Sequence, residues 1–176
     1  SNVTPRPELM DTLRTERGEF IDRPWGQWDG LGLLYHAQIL SAPQVYYCPS
    51  HPGNHPFSRY EEAWSGEEGL IVSNYQFRGA GPTGQRRLYQ IPSDAALVTD
   101  TLRSYNDLNH KGGFNLLQAG LSVAWYEDTG DEVAEIVLRI SSGAGSTTQA
   151  VADAWASLDG ATTGAAAGSS QSVGGP

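Results

Sequence analysis

The feature that most constrains this fold is a pair of apolar segments separated by two residues. Residues 114–119 (FNLLQA) and 122–126 (SVAWY) are rich in aromatic, aliphatic and β-branched side chains, and Gly120-Leu121 lies between them. Two such segments around a two-residue break that contains glycine are typical of an antiparallel β-hairpin. Because glycine takes the first turn position, the sequence predicts a type II′ turn. We therefore expect an antiparallel sheet around this hairpin.

Further apolar segments predict the remaining elements. Two segments before the hairpin are rich in β-branched and aromatic residues, which favour strands. An apolar segment stopped by Pro43 predicts a short buried helix, and apolar spacing before Gly18 predicts a weak amphipathic one. Residues 133–140 suit either a strand or a helix, and Asp131 as a cap with acidic first-turn residues favours the helix. The predicted strands are 45–48, 69–77, 95–99, 114–119 and 122–126, and the predicted helices are 8–20, 31–40 and 133–140.

The composition changes at residue 141. From there to the end of the chain, 27 of 36 residues are Ala, Gly, Ser or Thr. The helical spacing of Val151, Trp155 and Leu158 predicts one small docked helix over 148–158. Residues 160–176 hold almost no large apolar side chain and predict a flexible tail. The sequence therefore predicts an α+β protein with a globular head (1–140) and a C-terminal extension (141–176).

Charge and composition exclude several classes of partner. The chain carries 11 basic and 20 acidic residues, for a formal net charge of −9. This balance argues against binding to nucleic acid or to an anionic membrane surface. No segment approaches the ~18 uninterrupted apolar residues of a membrane span, and the first residues lack the apolar region of a signal peptide. The single cysteine excludes an internal disulfide framework.

One segment has residue types that bind zinc. Cys48, His51 and His55 have an acceptable spacing for three zinc ligands, and His110 is a candidate fourth. Three prolines stand among these residues, so that the segment predicts a loop and not a zinc-finger helix. A buried thiol beside surface histidines is the preferred interpretation.

Two other groups suggest ligand binding. Asp128 and Asp131, with acidic neighbours, offer the oxygen ligands that Ca²⁺ prefers, but they lack the alternating Asp-x-Asp-x-Asp order of the familiar loop. A solvated turn that caps the next helix is the preferred interpretation. Trp25, Trp28 and Tyr35 form an aromatic group that suits either a hydrophobic core or a sugar-stacking face.

Catalytic signatures are missing from the sequence. Residues 79–84 match G-x-G-x-x-G, but Pro82 lies inside the motif and a strand-like segment follows instead of a helix. There is no G-x-S-x-G elbow and no H-E-x-x-H motif. Cys48 lacks the flanking pattern of a cysteine protease. We therefore expect no enzymatic activity.

The segment from His110 to Tyr126 resembles the C-terminal signature of bacterial pilin-like proteins with an H-x9-DG motif, which are relatives of type II secretion pseudopilins. That signature contains a His, a Gly-Gly-x-Asn, an apolar strand ending in Ala, Asp-Gly, then Ser or His, Val and an aromatic residue. The matching residues are His110, Gly112, Gly113, Asn115, Leu116, Leu117, Ala119, Ser122, Val123 and Trp125. Gly120-Leu121 replaces the Asp-Gly pair, so no role of that aspartate transfers to this chain. Residues 28–35, residues 46–50 and Asp100 resemble further pieces of the family pattern, in the same order.

The resemblance implies a pilin-like fold, with a long N-terminal helix packed on an antiparallel sheet. The first half of that helix would lie in the inner membrane before assembly, and we expect it to precede Ser1 in the natural protein. The implied function is a non-enzymatic subunit of a type II secretion or pilus-like filament, without a cofactor, in the periplasm or at the cell surface. Other pilin-like or secretion-system subunits are the implied partners. Structural roles are implied for His110, Gly112, Gly113, Asn115 and Gly120, because glycines permit positive φ and His or Asn can bind loop amides.

Two alternatives come from other classes of protein. The first is a secreted binding module that takes up a glycan through Trp25 and Trp28, or calcium through residues 127–132. The second is a metal-dependent hydrolase built on Cys48, His51 and His55.

Overall fold

The computed structural model describes residues 11–16, 26–66, 68–143 and 147–166, with side chains described up to residue 160. These ranges contain six strands and four helices, so that the α+β class is confirmed. The strands are β1 (Thr12–Arg14), β2 (Ile71–Val72), β3 (Tyr75–Phe77), β4 (Ala96–Asp100), β5 (Gly113–Gln118) and β6 (Val123–Glu127). The helices are α1 (Gly32–His36), α2 (Glu61–Ser65), α3 (Glu132–Ser142) and α4 (Thr147–Ala166). Short 3-10 turns lie at Pro43–Tyr46, Phe57–Arg59, Leu88–Gln90 and Tyr105–Asp107.

The larger sheet is antiparallel, with the strand order β3-β4-β5-β6. The predicted hairpin is confirmed, because β5 and β6 pair in unbroken register from Gly113 opposite Glu127 to Leu117 opposite Val123. The strand predicted at 95–99 and the end of the segment 69–77 supply β4 and β3. Since successive side chains of a strand point to opposite faces, Phe114 and Leu117 lie on different sides of this sheet.

The turn between β5 and β6 differs from the predicted one. Positive φ falls on Leu121, at +65°, and not on Gly120, so the type II′ prediction is wrong. The structure requires glycine at position 120 for a different reason: an added Cβ would lie 2.9 Å from the backbone oxygen of Ser93. The amide of Gly120 donates to that same oxygen at 2.7 Å, which holds the turn against the loop before β4.

Helices α3 and α4 cover the face of the sheet that carries Phe114. Both helices were expected, and both extend beyond their predicted ends, α4 as far as Ala166. Residues 167–176, the end of the predicted tail, lie outside the described residues. The buried residues of this core are Ala96, Leu102, Phe114, Leu116, Val133, Ile136, Val137, Ala150, Val151, Ala154, Trp155 and Leu158. The boundary drawn at residue 140 thus falls inside a helix that shares one core with the sheet and with α4.

An ion pair also fastens α4 to the sheet. The guanidinium of Arg78 donates to both carboxylate oxygens of Asp159, at 2.8 and 2.6 Å. One of these oxygens also accepts the backbone N–H of Ala96 at 3.0 Å. The guanidinium lies 5.3 Å from the ring centroid of Trp155, within the range of a cation–π contact.

The opposite face of the sheet carries an apolar row. Phe77 pairs with Val98, Val98 with Leu117, and Leu117 with Val123, so that one side chain from each strand contributes. The first three are half-buried and Val123 is 72% exposed. No helix that the structure describes covers this row, because α3 and α4 lie on the other face and α1 and α2 belong to a second core.

The second core surrounds the small sheet of β1 and β2. Its buried residues are Leu13, Tyr46, Tyr47, Tyr60, Trp64, Ile71 and Val72. Arg14 lies beside them and donates hydrogen bonds to the carbonyl oxygens of Ala63, Gly66, Glu68 and Gly69. The helix predicted over 8–20 is therefore wrong at 12–14, where the chain is a strand; residues 8–10 and 17–20 lie outside the described residues. Pairing with β2 fixes the strand, and a local apolar spacing does not reveal it.

Three other predictions need correction. The strand at 45–48 is wrong, because a 3-10 turn begins at Pro43 and the N–H of Tyr47 donates back to Gln44. The predicted strand 69–77 divides between two sheets at Ser73, whose hydroxyl bonds both the N–H and the carbonyl of Tyr75 and so turns the chain. The helix predicted at 31–40 is present but ends at His36, and it is only half-buried.

None of the described helices combines the length and the apolar character needed to cross a bilayer.

Candidate functional site

The histidine of the H-x9-DG-like segment links two distant loops. Nε2 of His110 lies 3.6 Å from Sγ of Cys48, and it accepts a hydrogen bond from the side-chain amide of Asn115 at 3.1 Å. Because Nε2 accepts, the neutral imidazole carries its proton on Nδ1. The ring also meets Trp125 edge to face, with centroids 5.7 Å apart. His110 therefore holds the loop that contains Cys48 against the sheet.

Asp100 is the buried acceptor beneath this histidine. It ends β4 and is 1% exposed. One carboxylate oxygen accepts the side-chain amide of Asn109 at 2.9 Å, and the other accepts the backbone N–H of Asn115 at 2.7 Å. The second oxygen lies 3.8 Å from Nε2 of His110. This carboxylate therefore fixes the start of β5 and the loop before it.

A second carboxylate, Asp107, binds the proline-rich loop. Its Oδ1 accepts from Nδ1 of His55 at 3.0 Å and from the backbone N–H of Asn54 at 2.7 Å, and its Oδ2 accepts from the hydroxyl of Ser104 at 2.6 Å. Burial by itself would raise the pKa of Asp107, but these hydrogen bonds together hold that pKa below its ordinary value of 3.8. Asp107 is therefore the ionised centre of the loop.

His51 is enclosed between the same two segments. Its Nδ1 lies 2.8 Å from Oδ1 of Asn109, and its Nε2 accepts the backbone N–H of His55 at 3.3 Å. Since the amide nitrogen of Asn109 already donates to Asp100, its oxygen is the group that receives the Nδ1–H of His51. The side chain of His51 is 2% exposed, so this ring is a structural element of the interior.

The candidate zinc ligands do not converge. Cys48 contacts His110, whereas His51 and His55 contact Asp107. Within the residues that the structure describes, no three His, Cys, Asp or Glu side chains are arranged to hold a metal ion. The loop prediction for the proline-rich segment is confirmed, and the surface position expected for the histidines is wrong for His51.

The candidate calcium ligands also have other roles. Asp128 is buried, and its carboxylate accepts the backbone N–H groups of Val133 and Ala134 at 3.2 and 2.9 Å. Asp131, the predicted cap, occupies the N-cap position with φ +54° but makes no capping hydrogen bond through its side chain. The capping residue of α3 is thus Asp128, because the left-handed backbone at Asp131 turns its own side chain away from the first helical amides.

The thiol and imidazole do not form a nucleophilic pair. Burial raises the pKa of Cys48, and the nearby Asp100 carboxylate raises it further, so that the neutral thiol is favoured. A relay would need an orienting group on the second nitrogen of His110. Asn115 and Asp100 instead approach the same Nε2 that faces the sulfur. The arrangement suits the joining of two loops.

A cavity of about 310 Å³ opens beside this network. Its lining residues are Pro52, Tyr105, Asn106, Leu108, Asn109, His110, Lys111, Gly112, Gly113, Phe114, Asp128, Asp131 and Ala134. Three of the motif residues, His110, Gly112 and Gly113, therefore line one concavity together with Lys111, the single lysine of the chain. The volume is at the lower end of the range for small-molecule sites.

The two glycines of the motif are required for different physical reasons. Gly112 has φ +85°, the positive value that the sequence predicts, and open space where a Cβ would be. Gly113 does not have positive φ. A Cβ at Gly113 would collide with the ring of Trp125 and with the carbonyl oxygen of Tyr126. The first glycine permits a backbone conformation and the second permits close packing of β6.

The aromatic and glycine-rich candidates lie away from this network. Trp28 and Tyr35 pack together against the second core, with ring centroids 5.0 Å apart. The guanidinium of Arg14 lies over the ring of Trp28. Trp25 lies outside the described residues. The G-x-G-x-x-G segment forms a loop after β3 in which the amide of Gly81 donates to Gln85, and no helix follows it directly.

Sequence reasoning missed the residues at the centre of the network. Asp107 and Asn109 lie three positions and one position before His110, and no local pattern marks either as a hydrogen-bond centre. The one available signal was a group of four polar residues directly before His110, at positions 104, 106, 107 and 109. Their partners lie at positions 51–55 and 74, which sequence spacing does not connect.

Comparison with known proteins adds no relative: no protein-family model, no curated protein and no solved structure matches this chain.

Proposed function

We propose that this chain is the head of a pseudopilin-like subunit, which works without catalysis in a type II secretion or pilus-like filament. The observation that carries the proposal is the apolar row of Phe77, Val98, Leu117 and Val123 on the face opposite α3 and α4. A row of half-exposed apolar side chains across four strands is what a helix packed on a sheet would bury.

The dimensions of the row suit one helix. Neighbouring strands lie about 4.8 Å apart, so that four strands present a band on the order of 14 Å wide. A helix with its side chains is about 10 Å across and would cover most of that band. The finer fold assignment, a pilin-like head with its N-terminal helix on the sheet, is part of this proposal.

The hairpin turn gives independent support to the resemblance. In the H-x9-DG signature, the glycine of the Asp-Gly pair corresponds to position 121. In this chain Leu121 has φ +65°, a conformation that glycine adopts far more readily than leucine. The motif's glycine therefore matches the backbone of this turn, although the residue itself has changed.

The proposed environment follows from the same assignment. The head would lie in the periplasm or at the cell surface, held by a helix that precedes Ser1 and is embedded in the inner membrane before assembly. Its partners would be other pilin-like or secretion-system subunits. The formal charge of −9 suits contacts with proteins and argues against nucleic acid.

The proposal is tested by photo-crosslinking of the natural gene product with the residues that precede Ser1. A photoreactive amino acid at position 117 reports on the apolar row, and the same probe at position 138, on the outer side of α3, is the control. We expect the probe at 117 to crosslink to the N-terminal segment of a subunit and the probe at 138 not to do so. Absence of that crosslink at both positions would contradict the proposal.

A second candidate function, a secreted binding module, is favoured by the cavity beside His110. Its lining combines apolar walls from Leu108 and Phe114 with Lys111 and Asp131 at the rim. A screen of glycans and of calcium by isothermal titration would detect such binding. Saturable heat that Lys111→Ala and Asp131→Ala both abolish would favour the module over the filament subunit.

A further inference from the structure

The last strand of the larger sheet has a free edge. The sheet ends at β6, and no strand that the structure describes pairs with its outer side. The hairpin bonds show which backbone groups point outward. The N–H of Gln118 donates to the carbonyl of Ser122, and the N–H of Asp128 donates to the carbonyl of Gly112. Since antiparallel partners alternate, the inward residues of β6 are Ala124 and Tyr126, and the outward ones are Val123, Trp125 and Glu127.

This edge lacks the features that normally prevent strand pairing. Proteins protect edge strands with prolines, bulges, lysines or very short strands. The sequence of β6 is VAWYE, with neither proline nor lysine, and its register with β5 shows no bulge. The opposite edge, β3, has three residues and is therefore short. The side chains of Val123 and Trp125 are 72% and 51% exposed, on the same side of the strand.

We propose that two copies of this chain associate through β6, antiparallel and with Trp125 on the two-fold axis, to form a continuous eight-stranded sheet. In this register Val123 of each copy lies opposite Glu127 of the other. The three outward N–H groups and three outward carbonyls of each strand then all pair across the interface. The two Trp125 residues then lie directly opposite each other on the same face of the joined sheet.

Charge and hydrogen bonding favour this register over those centred on Glu127 or shifted toward Leu121. Glu127 is the one acidic side chain of β6. The Trp125-centred register places the two Glu127 carboxylates at opposite ends of the paired strands. A shift that centres the pairing on Glu127, or a parallel in-register pairing, would place those carboxylates side by side, and adjacent like charges destabilise strand pairs. A shift toward Leu121 would lose a donor, because the N–H of Leu121 already donates to Gln118.

The dimer interface does not depend on the filament proposal, because it uses the backbone edge of β6 and not the apolar face of the sheet. Its test needs only the chain of 176 residues, whereas the crosslinking experiment needs the N-terminal helix. The two proposals can therefore fail separately.

Sedimentation equilibrium of the chain and of two matched variants tests the interface. Val123→Glu places a carboxylate directly opposite Glu127 of the other copy, and Leu138→Glu adds the same charge on the exposed side of α3. We expect a concentration-dependent dimer for the wild type and for Leu138→Glu, and a dissociation constant at least about tenfold higher for Val123→Glu. A monomer at every concentration, or a dimer that Val123→Glu leaves unchanged, would overturn the proposal.

Amide hydrogen exchange gives a readout that does not depend on a variant. In the monomer, the N–H groups of Val123, Trp125 and Glu127 point to solvent, whereas those of Ala124 and Tyr126 are bonded to β5. We expect exchange at the three outward amides to slow as the protein concentration rises, with no change at the two inward ones. Outward amides whose exchange is independent of concentration would also overturn the proposal.

Discussion

Nδ1 of His55 lies 3.0 Å from Oδ1 of Asp107, although 52 positions separate these residues in the sequence. The same carboxylate accepts from Asn54 and Ser104. One buried anion therefore holds the proline-rich loop against the loop before β5, and the H-x9-DG-like segment begins where that second loop ends.

The ionisation of Asp107 leads to a prediction of pH dependence. Its folded-state pKa is lower than its ordinary value, because hydrogen bonds favour the carboxylate. The stabilisation is therefore fully present above the ordinary pKa of 3.8 and is lost as the pH falls from there through the lower, folded value. Urea unfolding at several pH values should show the free energy of unfolding falling below pH ~4 more steeply for the wild type than for Asp107→Asn. Equal slopes for the two proteins would show that Asp107 is not the titrating group.

Leu121→Gly should stabilise the protein. A left-handed conformation costs a leucine about 1–2 kcal/mol, and glycine avoids that cost while losing part of the gain to its greater freedom in the unfolded chain. We expect a net gain of up to about 1 kcal/mol in the free energy of unfolding, measured by urea titration. The matched change Leu138→Gly, inside α3, should lower it by about 1 kcal/mol. A loss of stability in Leu121→Gly would contradict the turn geometry.

Removal of the Asp159 carboxylate should weaken the attachment of α4 to the sheet. Asp159→Ala leaves the guanidinium of Arg78 and the N–H of Ala96 without this acceptor, and we expect a loss of about 3 kcal/mol. Asp153→Ala is the control on the same helix, because its carboxylate bonds Gln149 one turn away; it should cost less than about 0.5 kcal/mol. Thermal unfolding followed by circular dichroism compares them. Similar midpoints for both variants would refute the role of Asp159.

Substitutions at Asp128 and Asp131 should lower the free energy of unfolding by clearly different amounts. Asp128→Ala removes the acceptor for two first-turn amides and should lower the free energy of unfolding by about 1–2 kcal/mol. Asp131→Gly removes the side chain but keeps a residue that tolerates left-handed backbone, and it should change the free energy of unfolding by less than about 0.5 kcal/mol. Guanidinium titrations measure both. If Asp131→Gly is the more damaging change, Asp131 and not Asp128 caps the helix.

The elements that sequence reasoning predicts correctly are those with a local cause. The hairpin depends on two adjacent apolar segments, the prediction of α3 on acidic residues at its start, and that of α4 on a 3.6-residue spacing that is complete within the helix. Strand β1 is different, because Thr12 and Arg14 are fixed by pairing with Val72 and Ile71, far along the chain. A spacing of apolar residues in one segment contains no information about such a partner.

The candidate site follows the same division. The positive φ of Gly112 agrees with the role that the resemblance implies for the motif glycines, whereas Gly113, in the same Gly-Gly pair, does not have it. The sequence associates Cys48 and His110 only as candidate zinc ligands. His51 and His55 bind Asn109 and Asp107, and no sequence pattern marks either partner. Polar residues that act through partners on another loop give no periodic signal.

The central claim, that a helix from the preceding segment covers the apolar row, is tested most directly by thiol labelling at position 117. Cys48 is buried, so its reaction is a slow background, and it can be removed as Cys48→Ala. Maleimide labelling of Leu117→Cys is compared between the chain that begins at Ser1 and the natural gene product, with Leu138→Cys as the control. We expect position 117 to be strongly protected in the natural gene product and position 138 to react equally in both proteins. Equal labelling of position 117 in both proteins would contradict a covering helix.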